Sequence, residues 1–273
     1  MPTPTLIAAD TSRFATGNKV IEDSTLLMLK GQHSVELLWP GAWHGASGYD
    51  AIQPTLKLAR ELDMLTGTYV AHTQRHAGAN DVVEAYKRIG EVEWSKLQFV
   101  ALDMEYGDPT TDPTVANMED LLAGKDKVLS LGQRPVLYTA NWWWKGHFEN
   151  PDIPLGLGLI NAFYDNDPDF DFASFPYGGP DVTLVGEQFT NTTDVDGVGF
   201  DFSSLTREWV MDGPPAANGL AALAKAWGID MEDSIRGGVA LHQGPIHPLA
   251  LALYSIRQGQ KAHNWELVLK GGK

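Results

Sequence analysis

The chain has 273 residues, 43% hydrophobic and 10% aromatic, enough apolar material for one large domain with a real core, which excludes a disordered polymer. Its net charge of −15 offers no basic patch for counterion release, which excludes nucleic acid and anionic membranes as main partners. The absence of cysteine excludes disulfides, thiolate catalysis and cysteine-based zinc sites. No apolar run approaches the ~20 residues of a membrane span, so no membrane insertion is expected. Met1-Pro2-Thr3-Pro4 lacks the basic and long apolar regions of a secretory signal, and none is expected. On so acidic a chain a polymeric ligand has to be held by stacking and hydrogen bonds, for which nine Trp and eight Tyr supply surfaces beyond those that fill the core.

Leu6-Ile7-Ala8-Ala9-Asp10 reads as a short buried strand ending in an acid, with Thr11 and Ser12 in the following loop. Glu22 to Lys30 reads as a helix, acidic at its start and basic at its end as the macrodipole favours. Ser34 to Trp39 is a second strand, stopped by Pro40-Gly41, and the loop beyond carries Trp43 and His44. Tyr49 to Leu62 is an amphipathic helix in which Pro54 either sits in the first turn or makes a kink. Gly67 to His72 is a third strand, containing Tyr69 and ending in His72. Asp81 to Trp94 is a helix capped by Asn80 or Asp81, with Val82, Ala85, Ile89 and Val92 on its apolar face.

The fourth strand, Leu97 to Leu102, is an apolar run suited to burial on both faces, and it stops abruptly at Asp103-Met104-Glu105-Tyr106. Side chains two apart on a strand share a face, so Asp103 and Glu105 point the same way with Cα atoms roughly 6.6 Å apart. Two such carboxylates cannot both ionise freely, and one pKa should rise. A raised acid beside an ionised partner is the equipment for cleaving a glycosidic bond, while a solvated strand end is the plainer reading of the pair by itself.

Thr114 to Leu131 is a helix stopped by Gly132, and Arg134 to Thr139 is a fifth strand containing Tyr138. Trp142-Trp143-Trp144 lies in the loop beyond, with at least one ring in the core and others free to stack on sugar. Leu155 to Tyr164 is a sixth strand, Thr183 to Thr190 a seventh containing Gln188, and Gly197 to Phe202 an eighth with Asp201 near its end. The acidic run Asp165 to Asp171 lacks the glycine and glutamate of a calcium loop and reads as solvated. With no nucleotide, zinc-protease or serine-hydrolase motif, no cofactor and no metal are expected. Strand–helix alternation followed by helix-poor strands predicts a closed parallel α/β barrel with its chemistry at the C-terminal strand ends.

Asp212-Gly213-Pro214-Pro215 marks a boundary between a barrel over 1–210 and a small, mainly helical extension over 211–273. Helices are expected near 217–227, 231–241 and 248–258 and a short strand at 265–269. The extension either stabilises the barrel, binds a polymer or docks to another protein.

The order and spacing of Asp10, Asp103-x-Glu105 and Asp201, with Tyr138-Thr139 and Gln188-Phe189-Thr190 between, resembles glycoside hydrolase family 25 over residues 5–207. These are lysozyme-type N-acetylmuramidases of bacteria, fungi and phages. The resemblance implies a modified TIM barrel of five β/α units followed by three strands, and hydrolysis of the β-1,4 bond between N-acetylmuramic acid and N-acetylglucosamine in bacterial peptidoglycan. It implies Glu105 as general acid and Asp103 as its partner, stabilising charge at the anomeric centre or orienting the 2-acetamido group. Asp10 and Asp201 are implied as flanking acids, and Tyr138 and Gln188 as groove residues. Tyr69, His72 and Trp142 are further candidates for substrate contact, although a strand-end histidine equally caps a hydrogen-bond network. Ile160 and Glu187 stand where the family often has tryptophan, and Trp39-Pro40-Gly41-Ala42-Trp43 replaces its Lys-Ala-Thr-Glu-Gly-like turn, so sugar contacts should differ. A phage lysin is expected, either held in the host cytoplasm until holin release or carried in the virion, and acting on the cell wall. The alternatives are an inactive glycan-binding or structural part of a phage tail, and a chitin-cleaving glycosidase.

Overall fold

A computed structural model describes residues 5–154, 156–168, 177–180 and 182–212. The elements expected beyond residue 212, and the end of the acidic run at 169–171, lie outside the described residues. The chain proceeds through β1 (Thr5–Asp10), α1 (Asp23–Gln32), β2 (Val35–Leu38), β3 (Gly41–His44), β4 (Ser47–Gly48), α2 (Ile52–Glu61), β5 (Leu65–Thr66) and β6 (Thr68–Ala71). It continues through α3 (Gly78–Ile89), α4 (Glu91–Trp94), β7 (Val100–Asp103), α5 (Met118–Ser130), β8 (Pro135–Ala140) and α6 (Asn141–Gly146). The last elements are β9 (Gly158–Ala162), β10 (Thr183–Gln188), β11 (Thr193–Val195), β12 (Val198–Thr206) and α7 (Arg207–Met211).

The strand order is β4-β3-β6-β7-β8-β9-β10-β12-β1-β2-β5, with β11 paired to β12. Its two ends belong to the same two chain segments. Trp39-Pro40 separates β2 from β3, and Gly67 separates β5 from β6. Proline has no N–H to give a ladder, so the interruption at Pro40 is built into the sequence. β2 pairs with β5 and β3 with β6, both parallel. Across the breaks, Gly67 N–H donates to the Leu38 carbonyl at 2.9 Å and Tyr69 N–H to that of Pro40 at 3.4 Å. With each interrupted segment counted once, eight strands close into a ring, which removes the exposed edge of an open sheet. Helices follow the first five of these strands, and only loops and the small β11 hairpin strand join the last three among the described residues. This is the modified TIM-type barrel expected, with one difference: the eighth strand, β12, runs antiparallel to both β10 and β1.

Alternation along each strand divides the core in two. Leu6 and Ala8 of β1 pack inside the ring with Ala101 and Val136, whereas Ala9 faces out to Leu26 and Leu29 of α1 and to Phe200 and Phe202 of β12. Trp39, at the break in the second strand, fills the barrel interior, with its ring edge-on to Tyr69, Phe99 and Tyr138 at 5.7–6.1 Å. Deleting so large a buried ring costs about 3–5 kcal/mol.

Local signals account for most element ends. Pro54 occupies the first turn of α2, where its missing N–H is harmless. Asn117 and Asp120 form a capping box that starts α5, later than the expected Thr114. The helix expected over 81–94 is two helices, broken at Gly90 with φ +80°. Asp81 lies inside the first turn of α3 rather than at its cap.

Candidate active site

The barrel register sets the acids. Asp10, the last residue of β1, pairs directly with Asp201 of β12, so their side chains share a face. The neighbours of Asp201, Phe200 and Phe202, pack outward under α1, which turns Asp201 inward. Across β7, Asp103 aligns with Ala71 on one side and Tyr138 on the other. The placement of Asp201 corrects the sequence reading. It is not at a C-terminal strand end but the fourth residue of a nine-residue strand running down from the mouth. Reversal of β12 is what brings an early strand residue to the rim where the parallel strands finish.

The loop after β7 is pinned at Met104. Met104 N–H donates to the Tyr138 carbonyl at 3.0 Å, and Thr139 Oγ1 donates to the Met104 carbonyl at 2.5 Å. Across the floor runs a hydrogen-bonded line. The Tyr138 hydroxyl, 3.5 Å from the Tyr164 hydroxyl, donates to Gln188 Oε1 at 2.6 Å, and Gln188 Nε2 donates to Asp10 Oδ2 at 2.8 Å. Asp201 Oδ1 accepts from the Thr192 N–H. Asp103 Oδ1 is buried without a hydrogen-bond partner. An orphaned buried acceptor is unfavourable, and it marks a place where a ligand's donor is wanted.

Burial and mutual repulsion govern protonation. Asp10 is held well above the usual carboxylate range, first by burial and then by Asp201, against the opposing hydrogen bond from Gln188. Asp103 is raised likewise by burial, then by Glu105 and Asp10. Glu105 is pushed up to about 7 by burial and then by Asp201. Asp201 is raised by burial, opposed by the Thr192 N–H. Three tyrosines, Tyr69, Tyr106 and Tyr138, are raised by burial first and the carboxylates second, which keeps their hydroxyls neutral donors. Tyr164 is pushed up to about 12, again by burial first. Four acids in one low-dielectric mouth therefore resist full ionisation, and Glu105, pushed up to about 7, can exchange its proton near neutral pH.

The structure does not bring every candidate to this mouth. His72 follows β6 with its side chain fully buried on the helix side, Nδ1 lying 3.1 Å from Asp81 Oδ2. Its Nε2 sits against Gly124 of α5. Asp81 Oδ1 accepts from Trp43 Nε1 at 2.9 Å, so His72 and Asp81 link strand to helix. Trp142 is 60% exposed on the short helix α6, in edge contact with His147, while Trp143 and Trp144 are core. Tyr69 is inside the barrel beside Trp39, under the field of Asp10 and Asp103. Two residues outside the candidate set belong to the site: Tyr106, next to Glu105, and Tyr164, two residues past β9. Both are aromatic residues just beyond a barrel strand, a signal available in the sequence. Among the described residues no group of three or more histidine or acidic side chains is arranged to hold a metal ion.

No protein-family model and no curated protein matches the sequence. Solved structures do match in fold. A family 25 glycosyl hydrolase from Bacillus anthracis superimposes with a TM-score of 0.54 at 12% identity, over 75% of this chain and 92% of that one. The CTP1L endolysin gives 0.53 at 17% identity, over 82% and 80% respectively. The modular autolysin LytC from Streptococcus pneumoniae, solved with a synthetic peptidoglycan ligand, gives 0.55 at 15% identity, over 73% of this chain and 46% of that one. The barrel described above has the fold of the family 25 glycosyl hydrolases.

Proposed function

We propose that this chain is a peptidoglycan muramidase, hydrolysing the β-1,4 bond between N-acetylmuramic acid and N-acetylglucosamine. The observation that carries the reading is Glu105 held at about 7 among three other carboxylates. A carboxyl that is still protonated near neutral pH can donate to a leaving glycosidic oxygen. The fold supports the same reading, since it is shared with a family 25 glycosyl hydrolase, an endolysin and an autolysin solved with a peptidoglycan ligand.

In the proposed reaction the Glu105 carboxyl gives its proton to O4 as the C1–O4 bond breaks. Positive charge develops at C1, and Asp103 faces it. A buried carboxylate is disfavoured alone but favoured beside a cation, so the burial that raises its pKa in the free protein strengthens this pairing. Its unpartnered Oδ1 suits it equally to accept the N–H of the 2-acetamido group. Glu105, now ionised, takes the proton of the incoming water. Gln188 holds Asp10 from one side and orients Tyr138 from the other. Hydrolysis is assigned to residues 1–210, with 211–273 as an appended unit that engages wall polymer or a phage virion component.

The test is mass spectrometry of borohydride-reduced peptidoglycan digests. Reduced muramic acid at the new ends is expected. Reduced glucosamine there, or cleavage of chitin in preference to wall, overturns the assignment, and an intact wall points to a binding role instead.

A further inference from the structure

A line of rings leads away from Glu105. Its neighbour Tyr106 meets the His44 ring edge-on at 4.7 Å, and His44 meets Phe14 edge-on at 5.8 Å. Over the outer face of Phe14, which is 64% exposed, lies the Arg13 guanidinium at 4.3 Å. Arg13, Phe14 and His44 also line one recess with Tyr69, whose ring reaches back under the field of Asp10 and Asp103. The line is made by the loop after β1, the end of β3 and the loop after β7, and Tyr69 of β6 joins the recess.

Arg13 is out of place on simple electrostatic grounds. The protein carries a net charge of −15, so its surface as a whole repels anions. Arg13 Nε is buried and has no hydrogen-bond partner. Asp50 feels the charge of Arg13 but is hydrogen-bonded by Arg88 and Asn18 instead. Stacking on Phe14 presents the planar fork with little left to lose in side-chain freedom. Such a fork matches a carboxylate, which it binds through two parallel N–H bonds.

The substrate class of the muramidase reading has a carboxylate to offer here. The muramic acid sugar, whose anomeric carbon would stand beside Glu105, carries a short peptide stem with free carboxylates. Each step of the ring line is under 6 Å, within reach of a few extended residues at about 3.3 Å each. We infer that Arg13, carried on Phe14 at the outer end of this line, is a specificity-determining residue that binds a carboxylate of the stem peptide. The protein thereby selects glycan that still bears its stems. This rests on the muramidase reading.

The experiment compares two soluble glycan-chain substrates, one bearing stem peptides and one stripped of them by an amidase, for the full-length protein and for Arg13→Ala and Arg13→Lys. The wild type is expected to show a kcat/KM at least tenfold higher on the stem-bearing chains, expressed mostly in KM. Arg13→Ala should bring that ratio close to one, and Arg13→Lys should restore part of it as a point charge without the fork. A thermal melt confirms that each variant is folded. A wild-type ratio near one, or a ratio unchanged in Arg13→Ala, overturns the inference while leaving the muramidase reading intact. No cleavage of either substrate overturns that reading instead.

Discussion

Replacing Glu105 by glutamine should stabilise the protein while silencing it. Glu105 is partly buried, and its carboxyl is displaced from an ordinary 4.5 to about 7. Folding therefore favours its protonated form. Its contribution to stability is fully present below pH 4.5 and is lost as the pH rises through about 7. At 1.36 kcal/mol per pH unit the displacement corresponds to roughly 3 kcal/mol of destabilisation at pH 8, and to almost nothing at pH 4. Glutamine keeps the shape and removes the charge. Urea unfolding of Glu105→Gln should thus show a gain of roughly 3 kcal/mol at pH 8, or ~6–12 °C in Tm for a domain of this size. The gain should vanish at pH 4. Wall hydrolysis by the same protein should be lost at both. A variant less stable than wild type at pH 8, or one with the same gain at both pH values, would show that Glu105 is not held protonated by its surroundings. Unchanged turnover would remove it from the chemistry.

Three further outcomes follow from the same geometry. With Glu105 as the proposed proton donor, kcat/KM on soluble glycan should fall as the pH rises through about 7, tenfold per unit beyond it; a flat profile from pH 6 to 9 contradicts the acid role. His72→Ala leaves the buried Asp81 Oδ2 without its partner and should cost about 1–3 kcal/mol in denaturant unfolding with KM unchanged, whereas a raised KM at unchanged stability would return His72 to the substrate. A chain ended after Asp212 keeps the contact of Arg134 with α7 and should cleave soluble glycan at the full-length rate, which places hydrolysis in the barrel; loss of that activity from a folded truncation would show that the extension takes part.

Much of the site could be read along the chain because strands end where apolar runs meet acids. Asp10 and Asp103 sit at such junctions, whereas Glu105 lies in the loop after β7, so the period-two expectation that it shares a strand face with Asp103 does not apply to it. Strand–helix alternation, then strands without helices, was enough to expect a barrel with a modified last third. What could not be read is anything that depends on which way a segment runs or which layer a residue faces. Asp201 looked like a strand end in the sequence, yet it reaches the mouth only because β12 is reversed against both neighbours. His72 looked like a strand end in the sequence, but β6 stops at Ala71, the partner of Asp103, and His72 lies one position out of phase with the inward face and joins the helix layer instead.

The sequence by itself determined the composition of the mouth: four carboxyls, the aromatic residues after the strands and the break at Pro40, all local properties of short segments. Tertiary structure alone decided their chemistry. Ring closure brings β1 against β12 across nearly two hundred residues, so that Asp10 and Asp201 are neighbours. Burial in that closed ring, more than the adjacency of Asp103 and Glu105, is what raises the acids, because removing water from a carboxylate requires the whole wall around it.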